Sequence, residues 1–412
     1  MKRSKAISLF TGAGGLDLGF EAAGFDTEVA VEMDARCVET LRANRKWRVI
    51  ERDVGRVATD ELLRTAGLAV DEADVLIGGP PCQPFSKAGF WATGEARRLD
   101  DPRATTIDHF LRILAEARPR AFLLENVEGL GFRGKDEGLT RIREAVEAIN
   151  ERYRTKYNPT VAVLNAADYG VPQLRRRLFV VAARDGTQFR FPEATHVSPE
   201  VLQPGDKRRR WMTAWDALHD LPCPIDSSLT LKGKWAELLP SIPEGQNYLH
   251  HTDRDDGEPL FGWRRRYWSF LLKLAKNQPA WTLQAQPGPA TGPFHWANRR
   301  LSMREMARLQ TFPDEFNILG SVTEAQKQLG NAVPSLLAEV LARAIRTQLL
   351  AAPLDSDEPK LQSKAAQSTP AAEQPDPIPF RYLELKGEHE PHPGTGLGFR
   401  ASARSGLRVA AE

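Results

Sequence analysis

Short apolar runs alternate with longer stretches of helical spacing through the first 184 residues. The runs 6–10, 29–31, 49–53, 74–77 and 121–124 have the length and β-branched content of buried strands. Between them, 16–24, 35–44, 60–68 and 106–117 repeat apolar positions every three to four residues, as amphipathic helices do. This alternation predicts an α/β chain with a doubly wound, Rossmann-like parallel sheet. Two more strand candidates, 160–164 and 178–183, are joined by the turn-rich link NAADYGVPQLRRR.

The pattern changes after Arg184. Over 185–297 periodicity weakens, prolines multiply, and seven of the nine tryptophans appear, interleaved with the basic runs 207–210 and 264–266. This reads as a second, smaller and irregular domain. Helical spacing returns at 302–310, where Ser302 and Glu305 have capping-box spacing, and at 335–350. The predicted organisation is therefore a first domain over 1–184, an insert over 185–297, and a return segment over 298–350. Residues 351–379 are rich in Ala, Pro, Ser, Gln and acid, so 351–412 is expected to be a linker and disordered tail.

Composition removes several classes. Of 412 residues, 41% are hydrophobic and 27% charged, which excludes a collagen, a wholly disordered chain and a multispanning membrane protein. Only a very short apolar run follows the basic start, so no signal peptide is read there and a cytoplasmic location is expected. Three scattered cysteines are too few for a disulfide framework or a zinc site. A net charge of +2 means that a nucleic-acid partner would have to be met by a local patch.

Two segments carry chemistry. In Phe10-Thr-Gly-Ala-Gly-Gly15, between a strand and a helix, glycines let the backbone approach a ligand. Asp17 breaks the dinucleotide pattern, while Glu32 suits two ribose hydroxyls and Asp53 an adenine amino group, so a nucleoside cofactor is implied. In Gly78-Gly-Pro-Pro-Cys-Gln-Pro-Phe-Ser86, prolines on both sides of Cys82 fix its backbone. A thiol framed that way at a strand's carboxyl end is aimed, as a nucleophile must be.

SLFTGAGG, VEMD, GGPPCQPFSKAG, ENV, QLRRR, RRLSMREMARLQTFPD and GNAVP, in this order, resemble the motifs of the cytosine-5 DNA methyltransferases over about residues 6–350. One departure is Ser8, where that family commonly has aspartate. The resemblance implies a methyltransferase sheet using S-adenosylmethionine, no metal, and a target-recognition domain in the insert. It implies a catalytic set of Cys82, Gln83, Glu125, Arg175 and Arg177. It implies cofactor contacts at Phe10, Gly12, Gly14, Gly15, Glu32, Met33, Asp53, Val54, Pro81 and Asn331. Cys82 would add to carbon 6 of a flipped cytosine, Glu125 would protonate ring nitrogen 3, and carbon 5 would then take the methyl group. On one strand Arg175 and Arg177 would point the same way, with Arg176 opposite.

Residues 87–103, with Arg97, Arg98 and Arg103, are expected to form a loop that closes on DNA. The insert's tryptophans suit either a small core or groove packing, and its basic runs either solvated faces or phosphate contacts. Double-stranded DNA is the expected partner, with a separately acting restriction endonuclease, a monomeric state and a nucleoid association. A transfer-RNA methyltransferase and a catalytically silent DNA-binding protein are the alternatives.

Overall fold

The computed structural model describes residues 3–81, 105–131, 137–222, 226–261, 267–288, 290–384 and 386. A seven-stranded sheet organises the chain. Its strands are β1 (Ser4–Leu9), β2 (Phe25–Glu32), β3 (Arg48–Glu51), β4 (Val75–Gly78), β5 (Ala121–Val127), β6 (Thr160–Asn165) and β8 (Arg176–Ala183), in the order β3-β2-β1-β4-β5-β8-β6. The first five pair in parallel, and β8 runs antiparallel to both β5 and β6. The expected doubly wound parallel sheet thus forms with one antiparallel strand in it. The link from β6 to β8 holds a 3-10 turn (Ala166–Tyr169) and the two-residue β7 (Gln173–Leu174), with no helix to make a parallel crossover.

Alternation along the buried strands feeds two cores. Ile7, Leu9, Leu76, Phe122, Leu124, Leu178 and Val180 face α3 (Thr59–Ala66), α4 (Thr105–Ala117) and α5 (Glu137–Tyr153). Ala6, Val75, Ile77, Leu123, Phe179 and Val181 face α1 (Gly15–Ala22) and α9 (Ser335–Gln348). Helices on both faces are what a sheet of near-continuous apolar strands requires. Gly19 allows α1 and α9 to touch, because a Cβ there would collide with Ala338 and Glu339.

The remaining named elements are α2 (Ala35–Asn44), β9 (His196–Val197), β10 (Arg209–Arg210), α6 (Ala214–Leu218), β11 (Ala280–Trp281), α7 (Met303–Leu309), α8 (Val322–Asn331) and α10 (Phe380–Leu383). The capping box at Ser302 forms as its spacing predicts. A second one, Ser321 with Glu324, opens α8, which the apolar pattern alone did not reveal.

The insert has its own aromatic core of Leu238, Ile242, Tyr248, Phe261, Phe270 and Phe294, with Trp235 packed against it. A further cluster joins Ala13 and Leu18 to Leu274, Leu283, Met306 and Phe312, locking insert and return segment to the first helix.

Residues 351–384 depart from the expected linker and disordered tail. Before α10 they form neither helix nor strand, yet they are held by specific bonds, and Tyr382 is 2% exposed in the insert's core. Low apolar content does not prevent order when buried groups elsewhere supply partners. Among the described residues no helix is long and apolar enough to cross a membrane.

Candidate active site

Every described candidate except Arg175 and Asn331 lies at the carboxyl edge of the parallel strands, where open α/β sheets gather their ligands. After β1 the chain turns sharply through Phe10 (φ 54°), Gly12 (φ 56°) and Gly14 (φ 84°). Gly14 caps α1 in a left-handed conformation with no side-chain bond. Gly12 faces open space, with nothing within 4 Å of where a Cβ would sit, whereas Gly15 presses against the Val333 carbonyl. The two glycines thus serve different ends, one leaving room and the other permitting contact with the returning chain.

Glu32 ends β2 with a buried carboxylate. It accepts from Gly12 N (2.6 Å), Met33 N (2.8 Å) and Asp34 N (2.8 Å). Burial raises its pKa against those three donors. A carboxylate offers about four acceptor directions, so capacity for a hydroxyl remains. Beside it the Met33 side chain is 67% exposed, an apolar surface at the mouth of the loop. Exposed Asp53 caps the next turn by accepting from Gly55 N at 2.7 Å. The Val54 side chain instead points into the core, which leaves only its backbone for a ligand. An open glycine, an acceptor with spare capacity and an apolar shelf together fit a nucleoside.

Glu125 and Arg177 form the second half of the site. Register places Val127 opposite Arg177 across the β5–β8 pair. Arg177 Nε lies 3.0 Å from Glu125 Oε1, with both side chains largely buried. Burial is the largest influence on Glu125 and pushes its pKa up, although Arg177 and Arg175 both oppose it. A Cβ on Gly79 would lie 2.9 Å from Glu125 Oε2, so this carboxyl abuts the loop that leads to Cys82. Asn126, whose role the sequence did not disclose, fastens that loop by donating from Nδ2 to the Pro80 carbonyl (3.1 Å). Thr106 donates to the exposed Pro81's carbonyl at 3.1 Å. Cys82, Gln83, Cys223, Trp263, the 87–103 loop and the 264–266 run lie outside the described residues.

Arg175 lies close enough to Arg177 and Glu125 for each to influence its charge, but its hydrogen bonds go elsewhere. The strand expected over QLRRR breaks at this residue, with β7 ending at Leu174 and β8 beginning at Arg176. Its guanidinium, 1% exposed, donates to the carbonyls of Leu283 (3.3 Å), Gly330 and Ala332 (both 2.8 Å). It ties together the insert, the GNAVP turn and the catalytic strand. Arg176 points outward to Glu128 at 2.9 Å. Gln173 adds a second tie, donating to the Leu309 carbonyl and accepting from Leu283 N. Asn331 is exposed at the end of α8.

Ser8 contacts Thr11 and hydrogen-bonds Asp17, which is fully buried and has its pKa raised to about 7 by desolvation. A second carboxylate at position 8 would meet that buried acid, so serine there avoids a like-charge pair. In the insert, Trp211 and Trp215 donate to Asp168 and the Ser368 carbonyl, and Trp235 packs in the core. Trp268 is 46% exposed and meets Trp281 edge-on at 4.5 Å. Arg208, Arg209 and Arg210 pair with Asp206, Glu358 and Asp216.

A profile of the C-5 cytosine-specific DNA methylase family matches residues 4–347. The chain is 43% identical over 368 residues to the Type II methyltransferase M.SacI of Streptomyces achromogenes, spanning 83% of this chain and 93% of that protein. It is 34% identical to M1.HphI of Haemophilus parahaemolyticus, across 82% and 86% of the two chains. Among solved structures, a putative DNA modification methyltransferase from an E. coli prophage superposes with a TM-score of 0.62 at 24% identity, over 84% of this chain and 99% of the other. At that identity the likeness speaks to the fold.

Proposed function

The chain belongs to the C-5 cytosine-specific DNA methylase family and is a DNA cytosine-5 methyltransferase, and from that premise we propose how its residues divide the reaction. S-adenosylmethionine, when bound, supplies an electrophilic methyl group. Phe10, Gly12, Gly14 and Gly15 would cradle it, Glu32 would accept from a ribose hydroxyl, and Met33 would cover the adenine. Asp53 and the Val54 backbone would meet the adenine amino group, with Pro81 and Asn331 near the methionine part.

The target cytosine leaves its duplex stack, since its ring atoms are out of reach inside the helix. Cys82 Sγ, as thiolate, bonds to carbon 6 while Glu125 delivers a proton to ring nitrogen 3. The displaced electron pair makes carbon 5 nucleophilic, and it takes the methyl group. Carbon 5 then loses its proton to water, and the electrons of that C–H bond restore the carbon 5–carbon 6 double bond as the Sγ–carbon 6 bond breaks; the thiolate departs with that bond's electrons, and nitrogen 3 returns its proton to Glu125. Arg177 orients Glu125 and donates to the cytosine edge, and Gln83 stands beside the nucleophile. Arg175 acts by holding β7 and β8 against the insert. The insert, residues 185–297, is the region that reads the duplex target.

One observation carries this reading: a buried carboxyl with a raised pKa, paired to Arg177, lies against the glycine that starts the cysteine loop. Duplex DNA containing 5-fluorocytosine tests it. The protein is expected to form a denaturation-resistant adduct that Cys82→Ala cannot form. Methyl transfer by Cys82→Ala would overturn the mechanism. Bisulfite sequencing of DNA from cells expressing the protein identifies the modified base and its context. The chain acts in the cytoplasm on nucleoid DNA, as a monomer, and a separate endonuclease reads the same site.

A further inference from the structure

Residues 352–384 leave the end of α9 and travel from the catalytic sheet to the far side of the insert. Near the sheet they are held by buried charges. Arg346 Nε donates to the Pro353 carbonyl at 3.0 Å, and Arg343 donates to the carbonyls of Ser356 and Asp357. The buried Glu339 carboxylate accepts from Lys360 N (2.7 Å) and Leu361 N (2.8 Å). Midway, Ala366 N donates to Asp216 at 2.8 Å, and Trp215 Nε1 donates to the Ser368 carbonyl at 2.9 Å. Beyond that, Asp376 N donates to the Pro240 carbonyl at 3.1 Å, and Glu373 lies 3.8 Å from Lys276. Tyr382 completes the path: it stacks on Trp235 (5.8 Å, 20° between planes) and its hydroxyl donates to the Lys234 carbonyl at 2.8 Å.

We propose that this segment is a strap fixing the insert's pose over the catalytic edge, with Tyr382 as a positioning residue for duplex DNA. Fastened at both ends and at the middle, it restricts how far the insert can swing from the sheet. A duplex must touch the cysteine loop and the insert together, so a fixed gap lowers the ordering cost of binding. S-adenosylmethionine needs only the sheet's edge and is indifferent to the strap. The proposal rests on the methyltransferase reading, and cofactor binding, measured separately, reports on that reading alone.

Three full-length variants test it. Tyr382→Ala removes the anchor, and Tyr382→Phe keeps the ring without the hydroxyl. Ala366→Pro deletes the N–H given to Asp216 without touching the aromatic core. Tyr382→Ala and Ala366→Pro are expected to raise KM for duplex DNA about tenfold, a change of about 1.4 kcal/mol. Their kcat and S-adenosylmethionine affinity should stay within about twofold of the parent, and Tyr382→Phe should restore most of the duplex affinity. Amide exchange followed by mass spectrometry should show residues 366–382 protected in the parent and released in Tyr382→Ala. Unchanged KM in both disruptive variants would overturn the proposal. So would loss of cofactor and duplex affinity together, or full exchange of the strap within seconds in the parent.

Discussion

Between Ser4 and Ala183 the chain is organised by ladders: seven strands in one sheet, aliphatic on both faces, sealed by helices. Between residues 185 and 297 the described pairings are two residues long, and polar contacts specify the shape. Lys276 is buried against Glu244, His251 bonds the Ser241 hydroxyl at 2.8 Å, and His295 accepts from Ala297 N at 3.0 Å. The sheet region rests on burial that many apolar sequences could supply. The insert adds to its aromatic core buried partners that must be particular residues, because a buried polar group left unmatched is costly. One region can therefore conserve a chemistry while the other is rewritten for a different target.

Glu125→Gln puts the largest strain on that division. If proton delivery belongs to the sheet, kcat should fall by about 10²–10⁴. If the insert sets duplex affinity as proposed, that affinity should change little. Rapid-quench methyl transfer beside fluorescence-anisotropy titration of a duplex separates the two. Loss of affinity with kcat intact would reverse the assignment of roles.

Arg175→Met strikes the tie between regions. It leaves three buried carbonyls without their donor and should destabilise the protein on the order of 3 kcal/mol. Calorimetry should show one cooperative transition splitting or broadening as insert and sheet uncouple. A sharp, unshifted transition would mean that Arg175 is not the tie.

The regions should also respond oppositely to pH. Burial raises the Asp17 pKa from 3.8 to about 7, so its favourable contribution is complete below pH 3.8 and is lost as pH rises to 7. Burial lowers His196, His251 and His295 from 6.5 to about 4. Their contribution is complete above pH 6.5 and is lost as pH falls to 4. Asp17→Asn should flatten the decline in sheet stability over pH 4–7, and His251→Gln should flatten the acid loss in the insert. Site-resolved amide exchange across pH reads both, with changes equivalent to a few degrees in Tm. Parallel slopes in the two regions would remove the contrast.

Ser302→Ala is the mildest case. The capping box would lose its N-cap acceptor and about 1 kcal/mol, with activity near the parent's. A shift in duplex KM would show that α7 takes part in recognition directly.

The same contrast explains what could be read in advance. Apart from α5 (Glu137–Tyr153), which was not read in advance, strand and helix positions through Ala183 lie close to the repeats of apolar residues, because period 2 and period 3.6 are local signals. The sheet-edge positions of Glu32, which ends β2, and of Glu125 and Arg177, near the ends of β5 and β8, follow from those local repeats. That of Arg175 does not, since its environment depends on a strand break and on carbonyls more than a hundred residues away. Nor does the strap, whose bonds join polar groups distant in sequence and leave no periodic trace. The antiparallel β8 depends on a connection without a helix, which composition does not reveal.

Gly15 rests against Val333, and Arg346 closes on the carbonyls of Ala23 and Gly24. The glycine turn thus waits for α9, far along the chain, before its supporting wall exists. Chains that stop short of α9 would leave one apolar face of the sheet uncovered and the proposed methyl-donor seat without its wall.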